Sequence, residues 1–297
     1  MAQENAITAA DTCAALDVEF IENFEHDYTS LSEAMGLYDI EVLAAGTALY
    51  QYKVSGTLSA TVPAEGEEAP LSKYKAEKVS IGEMTPKRYR KQSTAEAILK
   101  GGLENAVLKT DKKMRIHLWD LVLDEFYAFL AKGTGKVSGT VDTLQKALVK
   151  ADSALVTAAH KNHDSVGAIV HYVNNEDVAD YLGEKDVVTQ TDYGISYLTA
   201  FLGVSHVVPT PSVKAGTVVA TPVLNIHPYT IDFSTLADAG LEYTTSTGDD
   251  EDNLGIVGVH HSPDYNRGSV DTHAMFGLTL VPEIKDYVVN ATFKTTA

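Results

Sequence analysis

A stretch of about thirty residues with helical spacing of its apolar side chains lies near the middle of this sequence. Gly101-Gly102 precedes it and Gly133-Thr134-Gly135 follows it, so the pattern predicts one helix from about residue 103 to residue 132. The apolar positions are mostly three, four or seven apart: Val107, Met114, Leu118, Leu121, Val122, Phe126 and Phe129. Such a helix is about 45 Å long, and its length argues against an all-β protein.

Shorter helices and strands surround this helix. Ser93-Thr94-Ala95-Glu96 fits a capping box, which predicts a short helix that breaks at Gly101-Gly102. Later segments alternate in type: helices over 141–159 and 175–182, and strands over 167–173, 203–208, 216–221, 254–261, 268–281 and 285–293. The pattern predicts the mixed α+β class.

Residues 47–92 have an extended pattern. Strands are predicted over 49–54, 58–62 and 74–81, and Pro63 to Pro70 forms a tip rich in proline, glycine and glutamate. These strands carry few large apolar residues, and an isolated two-stranded ribbon is only marginally stable in water. We therefore expect the hairpin to lie on another surface, most simply that of a neighbouring subunit.

Charge is unevenly distributed along the chain. The formal net charge is -18, so the average field of the protein repels nucleic acid phosphates. Residues 1–52 contain ten acidic residues and no Lys or Arg, whereas residues 73–115 contain twelve of the 23 basic residues. An acidic and a basic segment of this kind can pair between copies, which sets register and partner choice.

The sequence predicts a soluble intracellular protein. Cys13 is the only cysteine, so no disulfide forms within the chain. No apolar run approaches the roughly 18 residues that span a bilayer. The acidic start of the sequence lacks the basic region of a signal peptide.

Two histidine clusters and one acidic run are the candidates for metal chemistry: His160, His163 and Asp164; His260, His261, Asp271 and His273; and Asp249 to Asn253. The first cluster lacks the glutamate of an H-E-x-x-H motif. Adjacent histidines in a strand point to opposite faces, and the acidic run lacks the spacing of an EF-hand. Polar surface groups are the favoured interpretation of all three.

Other catalytic motifs are missing from the sequence as well. It contains no G-x-S-x-G, Walker or dinucleotide motif. Carboxylates near Cys13 make its thiol a poor nucleophile. We predict no enzyme activity, no catalytic residue, no cofactor and no metal.

In this order, the parts resemble the major capsid proteins of tailed bacteriophages, the fold named after phage Hong Kong 97. The order is an acidic N-terminal arm, a long extended loop, a long helix, a compact α/β lobe and returning C-terminal strands. The segments that carry the resemblance are Val62 to Glu68, Thr85 to Tyr89, Asp111 to Leu130, Ala168 to Leu182, and Gly203 to Val218. The resemblance as a whole covers nearly the entire chain, about residues 15–293.

The resemblance implies a division of the chain. The parts are an N-terminal arm (1–46), an extended loop (47–92), a peripheral domain with the long spine helix (93–140), an axial domain (141–253) and C-terminal strands that return to the peripheral domain (254–297). It further implies the icosahedral head of a tailed double-stranded DNA phage, built from pentamers and hexamers in the bacterial cytoplasm. Expected partners are a separate scaffolding protein, a portal, decoration proteins, and DNA that is enclosed without sequence-specific binding; no membrane is expected.

The extended loop would then lie over the spine helix of a neighbouring copy. Predicted assembly contacts are the acidic residues of the loop tip and a basic strip after the loop: Glu65, Glu67, Glu68, Lys87, Arg88, Arg90 and Lys91. Three alternatives stay open at this point: an encapsulin-type nanocompartment shell, a phage tail or surface β-protein, and a metallohydrolase that uses the histidine clusters.

Overall fold

A computed structural model describes residues 34–35, 37–44, 47–59, 62, 64–66, 68–139, 141–184, 198–199, 206–245 and 255–293. The first half contains strands β1 (Glu41–Leu43), β2 (Ala48–Thr57), β3 (Lys73–Glu83), β4 (Lys87–Thr94) and β5 (Gly135–Lys136), and helices α1 (Ala95–Leu103), α2 (Lys109–Leu130) and α3 (Leu144–Asn162). The second half contains helices α4 (Asn175–Glu184) and α5 (Phe233–Asp238), and strands β6 (Ile169–Val173), β7 (Leu198–Thr199), β8 (His206–Pro209), β9 (Thr217–Pro222), β10 (Ile226–Ile231), β11 (Val257–Asp264), β12 (Ser269–Phe276), β13 (Leu278–Pro282) and β14 (Val289–Thr292). The predicted α+β class is confirmed. Most of the amphipathic N-terminal arm, together with Cys13, lies outside the described residues.

The predicted long helix is present, with a π-helical turn at its start. Residues Glu104–Leu108 form this turn and lead directly into the 22 residues of α2. Gly102, with a φ of 78°, interrupts the helical backbone one residue before the end of α1 and confirms the predicted break. The capping box was placed one residue early, because the amide of Ala97 donates to Oγ1 of Thr94 rather than to Ser93. The hydroxyl of Ser93 instead donates to the carbonyl of Ala106.

One face of α2 packs on the largest hydrophobic cluster among the described residues. Leu118, Val122 and Phe126 are buried in it, as their spacing predicted. Leu121 differs from the prediction, because it is 39% exposed. The N-terminal part of the described chain joins the same cluster, since the hydroxyl of Tyr172 donates to the carbonyl of Ala34 at 3.0 Å.

A six-stranded sheet in the order β5-β14-β9-β6-β8-β7 forms the centre of the second half. Side chains of a strand alternate between the two faces, so Tyr172 points towards α2 while Val173 packs on the α3 side. His171, fully buried, also faces α3. Its Nε2 lies 2.8 Å from Oδ1 of Asp152 and its Nδ1 lies 3.2 Å from the carbonyl of His206.

Two three-stranded sheets join the beginning of the chain to its end. One has the order β11-β12-β4 and the other β1-β10-β13. The predicted single strand over 268–281 is therefore wrong: it divides at Gly277 into β12 and β13, which belong to different sheets. A Cβ at Gly277 would lie 2.7 Å from the side chain of Ile231, so the turn between the sheets requires glycine.

Other element boundaries also differ from the sequence predictions. The strand over 285–293 is instead a short 3₁₀ turn, Lys285–Tyr287, followed by β14. Strand β10 and helix α5 were not predicted. Residues 58, 59 and 62, expected within a strand, lie outside any strand.

Candidate assembly surface

The hairpin formed by β2 and β3 pairs only with itself among the described strands. Side-chain alternation and the register place Tyr50, Tyr52, Val54 and Tyr74 on one face, which we call the aromatic face. The three tyrosines are 47%, 68% and 58% exposed. Exposed aromatic side chains gathered on one face of a folded protein mark a surface that binds another molecule.

Local contacts fix two of the tyrosine rings of the aromatic face against the ribbon. A Cβ at Gly56 would lie 2.3 Å from the ring of Tyr74, so the absence of a side chain lets this ring lie directly on the ribbon. The ammonium group of Lys78 lies 3.7 Å from the centre of the Tyr50 ring, within the range of a cation–π contact. The opposite face of the ribbon is charged and carries the exposed ion pair between Lys75 and Glu77.

The base of the hairpin is firmly attached to the rest of the molecule. The side-chain amide of Gln51 donates to the carbonyl of Glu283, just after β13. Met84 follows β3 and is buried in a small cluster with Ile231, Phe233 and Met275. The ribbon therefore extends from a fixed base, which gives its aromatic face a defined direction.

The loop tip is exposed to solvent. Glu65 and Glu68 are exposed, and Gly66 has a φ of 87°, a conformation that favours glycine in a turn. Glu67 lies outside the described residues. The role of these glutamates in assembly stays a prediction.

The basic strip lies on β4, at the edge of its sheet. Three of its members have partners within the chain: Lys87 pairs with Glu125, Arg90 with Asp271 and Lys91 with Asp111. Arg88 is exposed and has no ion pair within the described part of the chain. Contacts of the strip with neighbouring copies stay a prediction. Arg88 is the member of the strip whose charge is unpaired among the described residues.

Asp111, in the first turn of α2, is the centre of a buried polar cluster. Its carboxylate accepts hydrogen bonds from Oγ1 of Thr272 at 2.8 Å and from Nε2 of His261 at 2.7 Å, and it pairs with Lys91. Burial lowers the pKa of Lys91, although Asp111 opposes this effect by favouring the charged ammonium. The cluster fixes the start of the spine helix on the sheet that contains β4.

The histidine clusters have structural roles where the structure describes them. His163 has a left-handed φ of 56° and ends α3. His261 bonds to Asp111, whereas the rings of His260 and His273 lie 6.4 Å apart on the other face of the sheet. Burial lowers the pKa of His273. Within the described ranges, no group of three or more histidine, cysteine or carboxylate side chains is arranged to hold a metal ion.

Among the residues described, none of the helices has the length and apolar character required to cross a bilayer. The acidic run Asp249 to Asn253 lies in the gap between residues 245 and 255.

The sequence matches no family model and no curated protein. Solved structures match it over nearly its whole length. The capsid asymmetric unit of cyanophage A-1(L) is 12% identical, with a TM-score of 0.63 over 97% of this chain and 98% of that chain. A structure from Mycobacterium phage Patience is 10% identical, with a TM-score of 0.59 over 100% and 95% of the two chains.

The capsid of an empty GTA particle gives a third match, 11% identical, with a TM-score of 0.58 over 95% of this chain and 99% of that chain. At such identities the similarity establishes the fold. The chain has the fold of these chains, of which the cyanophage and GTA chains come from capsid structures. The fold implied by the sequence resemblance is therefore confirmed.

The aromatic face was missed in the sequence, where the hairpin was interpreted as polar. Its signal is the alternation of Tyr50, Tyr52 and Val54 at every second position. The fourth member, Tyr74, joins them only through the pairing of Gly56 with Tyr74. That pairing depends on the register of the hairpin, which the sequence does not state.

Proposed function

We propose that this protein is the major capsid protein of a tailed double-stranded DNA bacteriophage and builds the icosahedral shell of the virion. The observation that carries the proposal is the exposed aromatic face, on a chain that has the fold of capsid subunits. Tyrosine-rich surfaces with few rotatable bonds are typical anchors of protein interfaces. A second copy of the chain is the natural partner, because a closed shell is built from repeated identical contacts.

The proposed contact places the aromatic face of one copy against the spine helix of the next. Exposed leucines beside the helix start offer an apolar receiving surface. Leu99 is 86% exposed, Leu103 58% and Leu108 54%. Burial of these leucines against tyrosine rings would remove apolar area from water on both partners.

The charged groups of the loop and of β4 would set the register of this contact. We propose that Glu65, Glu67 and Glu68 of one copy meet basic groups of another, with Arg88 as one of them. Lys87, Arg90 and Lys91 would contribute through their field, since their closest partners belong to their own chain. Charge complementarity of this kind selects the correct partner more than it adds affinity.

Finer features of the proposal come from the resemblance. Copies would form pentamers and hexamers on a separate scaffolding protein in the host cytoplasm, and a portal and decoration proteins would complete the particle. The net charge of -18 suits a wall that encloses DNA without binding it tightly, because phosphate contacts dominate nonspecific affinity.

A triple variant, Tyr50→Ser, Tyr52→Ser and Tyr74→Ser, tests the aromatic face. We expect its free energy of unfolding to stay within about 1.5 kcal/mol of the original, about 0.5 kcal/mol for each of the three exposed side chains. Assembly into shells, tubes or rings, followed by analytical ultracentrifugation and negative-stain electron microscopy, should be lost. The matched control changes the opposite face of the same ribbon, Lys75→Ser with Glu77→Ser, and should assemble. Normal assembly of the triple variant would refute the proposed contact.

Deletion of residues 63–70 tests the loop tip separately. We expect a folded subunit that assembles poorly, because the described residues of the tip are exposed and belong to none of the hydrophobic clusters. The content of particles formed by the unchanged protein distinguishes a capsid from a nanocompartment shell. Enclosed DNA in infected cells supports the capsid, and a single enclosed protein cargo would contradict it.

A further inference from the structure

A cleft of about 650 Å³ opens between β5 and α3, on the side of the six-stranded sheet opposite to α2. Its volume lies within the roughly 300–1,000 Å³ that ligand pockets occupy. No step of the proposed assembly contact uses this cleft, because the hairpin and the spine helix lie elsewhere in the molecule.

Small side chains keep the cleft open. Ser153, Ala154, Thr157 and Ala158 form the helix side of its lining, at positions that share one face of α3. On the other side, a Cβ at Gly135 would lie 2.5 Å from the carbonyl of Asp286, so only glycine lets β5 approach the following segment so closely. The cleft therefore follows from residue size on both walls.

The cleft has a strong excess of positive charge. Lys136, Lys150 and Lys161 line it, against the single carboxylate of Asp286. That carboxylate already accepts a hydrogen bond from Oγ1 of Thr134 at 2.6 Å. Lys136 and Lys161 make no ion pair with any residue that the structure describes. In a protein with a net charge of -18, three lysines in one concave surface mark a site for an anionic partner.

The backbone of β5 adds a second means of recognition. Among the described strands, the two-residue β5 pairs with β14 alone, so its other edge has no strand partner, and both of its residues line the cleft. A free strand edge is a template for an extended peptide, and the main-chain bonds supply affinity while side-chain pockets supply specificity. Three lysines beside a strand edge without a partner fit an extended acidic peptide better than a small inorganic anion.

The chain itself contains such a peptide. Residues 1–33 include eight acidic residues and no Lys or Arg. The described chain begins at Ala34, which contacts Tyr172 on the α2 side of the sheet. Thirty-three extended residues span up to about 110 Å, whereas a compact chain of this length has a radius of gyration of about 19 Å. The segment is long enough to pass round the sheet and reach the cleft.

We propose that the cleft between β5 and α3 binds the acidic segment 1–33 of this protein, with carboxylates of the segment paired to Lys136, Lys150 and Lys161. The site would hold the start of the chain against β5 and α3. It is independent of the aromatic face, so it can be tested in unassembled subunits.

Zero-length crosslinking of the purified full-length chain with a carbodiimide tests this contact directly, because the reagent joins amines only to carboxylates that touch them. We expect isopeptide links from Lys136 and Lys161 to acidic residues between Glu4 and Glu33, identified by mass spectrometry. Lys146 and Asp142, whose charged groups lie 2.7 Å apart, provide the internal positive control. If this control pair is linked while the cleft lysines are linked elsewhere or not at all, the proposal is overturned.

Cleavage by a glutamate-specific protease gives a second readout that does not require the lysine amine. Lys136→Gln with Lys161→Gln should increase the rate of cleavage after Glu19, Glu22 and Glu25 by about threefold or more, since two charge contacts are lost. Lys136→Arg with Lys161→Arg keeps the charge and should cleave at the original rate. Lys214→Gln, an exposed lysine outside the cleft, is the matched control. Equal rates in all four proteins would contradict the proposal.

Discussion

At the scale of single residues, Asp111 shows how a polar group in the interior can hold two elements together. It accepts bonds from β11 and β12 and pairs with Lys91 of β4, so one carboxylate connects the spine helix with all three strands of a sheet. The side chain of Lys91 is only 12% exposed. Removal of its partner would therefore leave an ammonium group in a poorly hydrated place.

We predict that Asp111→Asn lowers the free energy of unfolding by about 3 kcal/mol at neutral pH, the cost of an uncompensated buried charge. Chemical denaturation measures this. The control is Glu77→Gln, which breaks the exposed pair with Lys75 and should cost less than about 1 kcal/mol. Equal losses in the two variants would show that the Asp111 cluster has no special role.

The pH dependence of this deficit has a defined sign. The pKa of Lys91 is lowered in the folded protein relative to its ordinary value of 10.5, and loss of Asp111 lowers it further. Between the lowered pKa and 10.5, the unfolded chain binds more protons, so stability rises with pH in this window. The deficit of Asp111→Asn should therefore become smaller as the pH is raised through this window towards 10.5. A constant deficit would exclude Lys91 as its origin.

At the scale of elements, Gly102 determines where α1 stops and the spine helix begins. Its φ of 78° and ψ of 160° belong to a region that only glycine occupies readily. No atom lies within 4 Å of the place where a Cβ would be, so a substitution acts through the backbone alone.

Gly102→Ala should lower the free energy of unfolding by about 1–3 kcal/mol because of backbone strain. Gly167→Ala is the matched control, since its Cβ would meet only Leu224 at an ordinary 3.8 Å. Thermal and chemical denaturation of both variants measures the difference. If Gly102→Ala is as stable as the control, α1 and the spine helix can merge without strain.

The sequence predicts an element well when the residues that determine this element lie close together in the chain. The spine helix follows from apolar spacing and flanking glycines within one stretch, and it was predicted to within a few residues. Strand β10 was missed because Pro228, which has no N–H to donate, lies in the middle strand of its sheet. The division at Gly277 was missed because its cause, the side chain of Ile231, is distant in sequence.

The same distinction between local and distant causes applies to the candidate assembly surface. Charge blocks and the loop tip are visible in the sequence, whereas the aromatic face needs the register between β2 and β3. The intrachain partners of Lys87, Arg90 and Lys91 lie on other elements. No local pattern around β4 indicates which of its four charges stays unpaired.

At the scale of the whole molecule, assembly should protect the hairpin from protease. Lys73, Lys75 and Lys78 lie on exposed positions of β3, and the ribbon touches the rest of the described chain mainly at its base. We predict that trypsin cuts isolated subunits in this ribbon much faster than assembled shells, as mass spectrometry of timed digests would reveal. The triple tyrosine variant, which should not assemble, is the control and should stay sensitive. Equal cleavage of shells and subunits would place the ribbon outside the subunit contacts.

Because of the two three-stranded sheets, a newly made chain can complete its fold only after its C-terminal strands have been synthesised. Strand β4 pairs with β12 and β1 pairs with β10, so each sheet needs residues from both ends of the chain. At 5–20 residues per second, a ribosome takes roughly 10–40 s between synthesis of β4 and synthesis of β12. Throughout this interval the hairpin is complete but its base is not. A chain that ends before β12 therefore lacks the strand that pairs with β4, and the direction of its ribbon is not fixed.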